Sequence, residues 1–268
     1  MINATVGILT FNNEKNLNNC LKSVKKFKDI VILDGGSTDK TLGIARKYKC
    51  KIYKQPSKFK FKNNKIKNFS KMKDMIIKLS KYNLILFLDT DEILDKSILK
   101  KIDFYSKCKY SPKKYYSFLL GRFPIYKKKI IKKKTILYPN FQERLIYKSN
   151  VKNFIKPVHE RPLRKNSDLR TKRISNTAIK FTIDFNNKKL YEKYDYYIQI
   201  EKLMLKNSSI FFKKLKFIVY RLMNIFKYVF QDFIFRPKKI DKDFRKFEMK
   251  HIKFNTYFSL KLLTNIFT

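Results

Sequence analysis

Residues 84–92, Leu84-Ile85-Leu86-Phe87-Leu88-Asp89-Thr90-Asp91-Glu92, set five apolar side chains directly against a cluster of acids. No longer unbroken apolar run occurs in the chain. A bilayer crossing takes about 20 apolar residues, so this run predicts a buried strand and the acids mark its end. Two carboxylates at i and i+2 cannot both enter an apolar core without a large desolvation cost. At a strand end both can turn toward one divalent cation, and Mg or Mn favours carboxylates shared with phosphate oxygens. A helix N-cap at Thr90 or Asp91, ahead of Ile93 and Leu94, is the competing reading of the same residues.

Upstream the pattern repeats. Residues 4–10 (ATVGILT) read as a strand, 11–16 (FNNEKN) as a polar loop, and Leu17, Cys20, Leu21 and Val24 recur at helical spacing. Residues 29–34 (DIVILD) form a second strand ended by Gly35-Gly36, and Ser37-Thr38-Asp39 offers caps for a following helix. A short third strand is expected over 51–54 and a helix over 67–81, with Met72, Met75, Ile76 and Leu79 on one face. Strands alternating with amphipathic helices predict an α/β fold: a mostly parallel, Rossmann-like sheet flanked by helices. Such sheets bind ligands beyond the carboxyl ends of their strands. Those ends carry Thr10 to Glu14, Asp34 to Ser37 and Asp89 to Asp91, so three polar clusters converge on one edge.

From about 115 to 182 the pattern becomes shorter aromatic strands, and from 184 onward it reads helical. We therefore expect a domain over 1–182, in halves 1–95 and 96–182, and a helical extension over 183–268. Advancing 100° per residue through 210–235 gathers Lys213, Lys216, Asn224, Lys227 and Gln231, flanked by Lys214, Arg221 and Asp232. Roughly 200° of the remaining surface is apolar and aromatic. A basic amphipathic helix of this kind suits an anionic membrane surface; a helix covering the domain core has the same pattern.

Lys+Arg total 64 against 21 Asp+Glu, a formal charge of +43. That favours polyanionic partners. It also fits a compositional bias, because the lysines spread along the whole chain, Trp is absent and Gly numbers only five. Both readings stand. The three cysteines, Cys20, Cys50 and Cys108, show no paired spacing, which predicts reduced thiols. The N-terminal MINATVG lacks a basic n-region and a long apolar h-region. The expected location is accordingly cytoplasmic, with peripheral contact to the inner membrane face.

The ordered set Thr10-x-Asn12-x-Glu14, Asp34-x-Gly36-Ser37-Thr38-Asp39, Lys67-Asn68 and Asp89-x-Asp91-Glu92 resembles the nucleotide-sugar-binding half of family 2 glycosyltransferases with the GT-A fold. The stretches Pro139-Asn140-Phe141-Gln142-Glu143-Arg144-Leu145 and Val158-His159-Glu160 are similar to the branch of lipopolysaccharide inner-core β-1,4-glucosyltransferases. The resemblance implies an inverting transfer of a hexose from a nucleotide-diphosphate sugar, UDP-linked by preference, to a glycan or glycolipid acceptor such as lipopolysaccharide core. It implies that Thr10, Asn12, Glu14, Asp34, Gly36, Lys67, Asn68 and Asp89 line the nucleotide-sugar site. Asp91, with Asp89, would hold the divalent metal. Glu160 would be the base, with Glu143 in reserve, while Gln142, Arg144 and His159 would meet acceptor or phosphate. A surface glutamate paired with Arg161 or Arg164 is the plainer reading of Glu160.

Two other classes compete. A nucleic-acid-binding protein accounts for the charge, but no RNP aromatic pair, zinc knuckle or clear helix-turn-helix is present, and an acidic edge repels phosphate. No nucleic-acid partner is expected. A sugar-nucleotide nucleotidyltransferase would open on a Gly-rich phosphate loop, whereas Thr5 to Glu14 holds only Gly7.

Overall fold

The apolar runs form the centre of a twisted sheet. In the computed structural model, the described residues are 1–126, 129–130, 140–182 and 187–206, with single helical positions from 219 to 256. In chain order the elements are β1 (Ile2–Thr10), α1 (Glu14–Val24), β2 (Phe27–Asp34), α2 (Thr41–Lys47), β3 (Lys51–Lys54), α3 (Phe69–Leu79) and β4 (Leu84–Asp89). There follow β5 (Glu92–Leu94), α4 (Leu99–Lys107), α5 (Ser111–Lys114), β6 (Tyr115–Tyr126), β7 (Lys129–Ile130) and β8 (Asn140–Tyr147). The last are β9 (Val151–Ile155), β10 (Arg161–Arg164), β11 (Arg170–Thr182) and α6 (Asn187–Lys206). The chain divides into two compact units, Met1–Lys132 with Pro139–Thr182, and Lys133–Tyr138 with Ile183–Thr268.

The main sheet has the order β3-β2-β1-β4-β8-β6-β11-β5, with β7 beside β6. Strands β3, β2, β1 and β4 pair in parallel, and β6 pairs in parallel with β11, while β8, β7 and β5 run the other way. The fold is mixed α/β with a curled, mostly parallel sheet flanked by helices. The curl has a local origin. β4 and β5 are separated in sequence only by Thr90 and Asp91, yet β8, β6 and β11 stand between them in the sheet. The acidic turn therefore closes a run of five strands upon itself.

Alternation along the strands separates two cores. Val6, Ile8, Ile32, Leu86 and Leu88 face α1, α2 and α4, whereas Val31, Leu33, Ile85 and Phe87 face α3 and β9. The α1 residues Leu17, Cys20, Leu21 and Val24 are all buried, as their spacing requires. Gly7 is needed where α3 crosses β1, because a Cβ there would lie 2.4 Å from Ile76 Cγ2. The expected short strands over 115–182 instead include two long ones, β6 with 12 residues and β11 with 13. Their mutual pairing shifts register three times, which lets a long strand follow a curled sheet. Among the described residues no helix is long and apolar enough to cross a membrane.

Candidate active site

The carboxyl ends of β1, β2 and β4 lie side by side, with Thr10 opposite Asp34 and Leu9 opposite Asp89. The loops that leave them are stitched together. The Asn12 backbone N–H donates to Ser37 Oγ (2.9 Å), and the Thr38 N–H donates to Asn12 Oδ1 (2.8 Å). Asn12 takes a left-handed φ of 50°, which asparagine tolerates. Glu14 Oε2 accepts from the Lys40 N–H (3.1 Å), while Asp39 accepts from the N–H groups of Glu14 (3.1 Å) and Thr41 (3.0 Å). One acid thus caps the first turns of both α1 and α2. Asp34 accepts from the Gly36 and Ser37 N–H groups (both 2.8 Å) and from Ser37 Oγ (2.6 Å). Gly36, at φ 99°, needs glycine, and a Cβ there would meet nothing within 4 Å. The side chains expected to line the nucleotide pocket therefore also hold the pocket's own loops.

Two residues to which the sequence pattern assigns no individual role, Asn13 of the β1 loop and Gln55, reinforce this edge. Asn13 donates to the Phe11 carbonyl (2.7 Å) and accepts from Thr90 Oγ1 (2.9 Å), joining the β1 loop to the acidic turn. Gln55, buried after β3, donates to the carbonyls of Thr10 (3.3 Å) and Leu33 (2.9 Å). Thr10 Oγ1 and Gln55 Oε1 are buried and have no hydrogen-bond partner among the described residues. Lys60 Nζ donates to the Gly35 carbonyl (2.8 Å), fastening the 57–67 loop to the glycine turn. Asn68 acts locally, as the N-cap of α3, where its Oδ1 accepts from the Lys71 N–H (3.1 Å) and Ser70 Oγ (2.8 Å). Lys67 lies half-buried beside it, its N–H donating to the Phe59 carbonyl (2.9 Å).

The acidic turn is balanced by arginine. Buried Arg144 of β8 grips Asp89 with two nitrogens, Nη2 to Oδ2 at 2.6 Å and Nη1 to Oδ1 at 3.3 Å. The same Nη2 donates to Glu92 Oε1 at 2.9 Å, and Arg122 Nε lies 2.5 Å from that oxygen. Glu92 Oε2 accepts the Asp89 N–H (2.9 Å). Partial desolvation pushes the half-exposed Asp89 carboxyl up, but the charge and hydrogen bonds of Arg144 outweigh it and hold Asp89 well below the usual carboxylate range. Burial pushes Glu92 above its ordinary value, with Arg144 the largest opposing influence. Burial favours a neutral Arg144, yet Asp89 and Glu92 keep it firmly protonated.

Both Asp89 oxygens are engaged by the Arg144 guanidinium, while the Asp89 side chain stays half exposed. His159 is exposed at a left-handed φ of 54°. Among the described residues no group of three or more His, Cys, Asp or Glu side chains could hold a metal ion. A cation brought with a diphosphate would need only one or two protein carboxylates.

Glu160 lies in the segment between β9 and β10. Its partner is neither Arg161 nor Arg164 but Lys73 of α3, at 2.6 Å, and it lies within electrostatic reach of Arg144. Lys73 is nearly buried over the rings of Phe87 and Phe154, 5.2 and 5.3 Å from their centroids. Helix α3 also fixes this segment through Asp74, which accepts the Phe154 N–H (2.6 Å), and through the Phe69 N–H, which donates to the Pro157 carbonyl (2.8 Å). Gln142, two residues from Arg144 and half-buried, shares its face of β8. Glu143 is on the other face, where Oε1 accepts from the hydroxyls of Tyr116 (3.2 Å), Ser117 (3.0 Å) and Thr171 (2.9 Å). Pro139 lies outside the described residues.

The sequence model of glycosyl transferase family 2 matches residues 5–167. The chain belongs to this family. Among curated relatives, the SPbeta prophage-derived glycosyltransferase SunS of Bacillus subtilis (strain 168) is 36% identical over 100 residues, 37% of this chain and 22% of SunS. The glycosyltransferase SunS of Bacillus phage SPbeta matches with the same figures. The chain thus spans about a fifth of the length of these relatives. Among solved structures, S. aureus TarS 1-349 in complex with UDP-GlcNAc aligns with a TM-score of 0.50 at 16% identity, covering 91% of this chain and 77% of that one. The curled sheet is thus the GT-A fold that this family's structural neighbours share.

Proposed function

We propose that the chain transfers a sugar, with inversion, from a UDP-linked donor to a glycan or glycolipid acceptor. The observation that carries this is the edge itself: Asp34 and Asp89 end β2 and β4 on either side of β1, Asp91 follows in the turn, Arg144 grips Asp89, and Glu160 pairs with Lys73 within electrostatic reach of Arg144. The donor's nucleoside would lie over the β1 and β2 ends, against Thr10, Asn12, Glu14, Asp34 and Gly36. Lys67 and Asn68 would approach it from the α3 side. The diphosphate would reach the acidic turn, where Asp91 would hold a divalent metal together with phosphate oxygens. That metal would neutralise charge on the leaving diphosphate.

In the transfer, the acceptor hydroxyl oxygen attacks the anomeric carbon from the face opposite the diphosphate. The new C–O bond forms as the bond to the β-phosphate oxygen breaks, the bonding pair leaves with the nucleoside diphosphate, and the hydroxyl proton passes to Glu160. The Lys73 ammonium keeps the Glu160 carboxylate in place, and Arg144, Gln142 and His159 border the space for acceptor or phosphate. The stretches around Gln142 and His159 support a lipopolysaccharide-core type of acceptor. Of the 210–235 helix, the polar-face residues lie outside the described residues, but Val219, Met223, Phe226 and Phe230 are helical and exposed, from 47% to 72%. Their 4-3-4 spacing makes an apolar stripe that supports peripheral contact with the cytoplasmic face of an anionic membrane.

Calorimetric titration of UDP, GDP and TDP, with and without Mn²⁺, tests the donor reading, with UDP-GlcNAc as one sugar-nucleotide probe. Metal-dependent binding of UDP that Asp91→Ala abolishes is the expected result. Failure of all three nucleotides to bind would sink it.

A further inference from the structure

Glu92 belongs to the acidic turn but is fully buried, so it cannot touch a donor. Its carboxylate nevertheless controls Asp89 twice over. One oxygen accepts the Asp89 N–H and so fixes that residue's main chain. The other takes the same Arg144 nitrogen that holds the Asp89 carboxylate. The guanidinium's remaining nitrogen adds no anchor: Nε is buried and has no hydrogen-bond partner among the described residues. Glu92 is itself held from behind. Arg122 of β6 contacts Glu92 Oε1 and lies 4.8 Å over the ring of Phe181, the β11 residue opposite Glu92 in register.

Asp89, by contrast, has a side chain 53% exposed. A half-exposed carboxylate ordinarily samples several rotamers. Here its orientation is set by a buried charge chain that crosses β5, β6 and β8. We propose that Glu92 is a positioning residue of the donor site: by anchoring Arg144 it fixes Asp89 in one orientation, and so tunes donor affinity without contacting the donor. This rests on reading the β4 edge as the donor site.

The test compares wild type with Glu92→Gln, Glu92→Asp and the double variant E92Q/R122Q, measuring the Kd for UDP with Mn²⁺ and the thermal midpoint of each. In E92Q the amide oxygen can still accept the Asp89 N–H, but the NH₂ group then meets guanidinium donors and Arg144 loses its anchor. UDP binding should weaken about tenfold or more, with E92D, still charged, recovering part of it. Removing Arg122 as well restores the charge balance, so E92Q/R122Q should regain thermal stability while UDP binding stays weak. A purely structural Glu92 makes the opposite prediction, that affinity follows stability in every variant. Equal UDP affinity in E92Q and wild type, or joint recovery of affinity and stability in the double variant, overturns the proposal. If E92Q does not accumulate in folded form, E92D and the double variant carry the same comparison. Wild type that binds no UDP overturns the donor-site reading instead, recognisable because the variants then do not differ.

Discussion

Replacing Arg144 by Met removes one guanidinium from two carboxylates while keeping an unbranched side chain that can fill the space. The cost divides unequally between them. Asp89 is half in solvent, so water replaces much of what it loses, and its share is small. Glu92 is 0% exposed and keeps only Arg122 and the Asp89 N–H among the described residues. Breaking a buried pair by deleting one partner costs about 3–5 kcal/mol, and the surviving contacts place this case near about 3 kcal/mol. For a chain of this size each kcal/mol shifts the melting midpoint by about 2–4 °C, so R144M should melt about 6–12 °C below wild type. The deficit also has a direction in pH. Burial already raises Glu92 in the folded protein, with Arg144 the main opposing influence, so its removal raises that carboxyl further. A carboxyl whose folded pKa lies above its unfolded one destabilises as pH rises past the unfolded value, about 4.3. R144M should therefore approach wild type near pH 4 and fall behind toward pH 8. Thermal unfolding followed by circular dichroism across that range reads both effects. A midpoint within about 1 °C of wild type at pH 8 would refute the reasoning, because Glu92 would not then depend on Arg144.

A second carboxylate gives the opposite sign. Asp29 accepts from Thr5 Oγ1 (2.7 Å) and the Lys81 N–H (2.9 Å) and pairs with Lys51 (2.8 Å). Burial raises it, but these partners outweigh burial and hold it below its ordinary value. Its contribution is present above the unfolded pKa of about 3.9 and is lost as pH falls through the folded value. Asp29→Asn should cost about 1.5–3 kcal/mol at neutral pH and show a shallower acid-unfolding limb than wild type in urea titrations. In the helical extension, the double substitution F226S/F230S should abolish co-flotation with vesicles rich in anionic lipid while leaving UDP affinity unchanged; retention on the vesicles would remove the stripe from the account.

The parallel half of the sheet was legible because its strands are buried on both faces, so each appears as an unbroken apolar run with polar residues at its carboxyl end. The same logic located Asp34, Asp89 and Asp91. It failed for Glu92, which reads as one more acid after Asp91, because its burial depends on pairing with Phe181 of β11, far along the chain. Arg122, Gln55 and Lys73 were missed for the same reason. Their partners are set by register, and no local spacing encodes it. Glu160 shows the limit plainly: neighbouring arginines offered a pair at short range, and the fold chose a lysine on α3. Asn68, singled out beside Lys67 for the nucleotide, also serves as a helix cap, a role its place ahead of an apolar periodic segment could have announced.

The two-residue link between β4 and β5 bears on the order in which the protein can be completed. As the chain emerges during synthesis, β1 to β4 can align with their own helices. The acids at 89 and 92 must then wait for Arg122 and Arg144, which arrive 30 and 55 residues after the first partner of each, Glu92 and Asp89. Until those arginines dock, Glu92 has no counter-charge and no reason to leave water. A fragment ending at residue 95 would therefore hold β1 to β4 but an unfinished acidic turn. Exchanging the segment after residue 95 between related chains is constrained accordingly, since an incoming segment must bring both arginines in register.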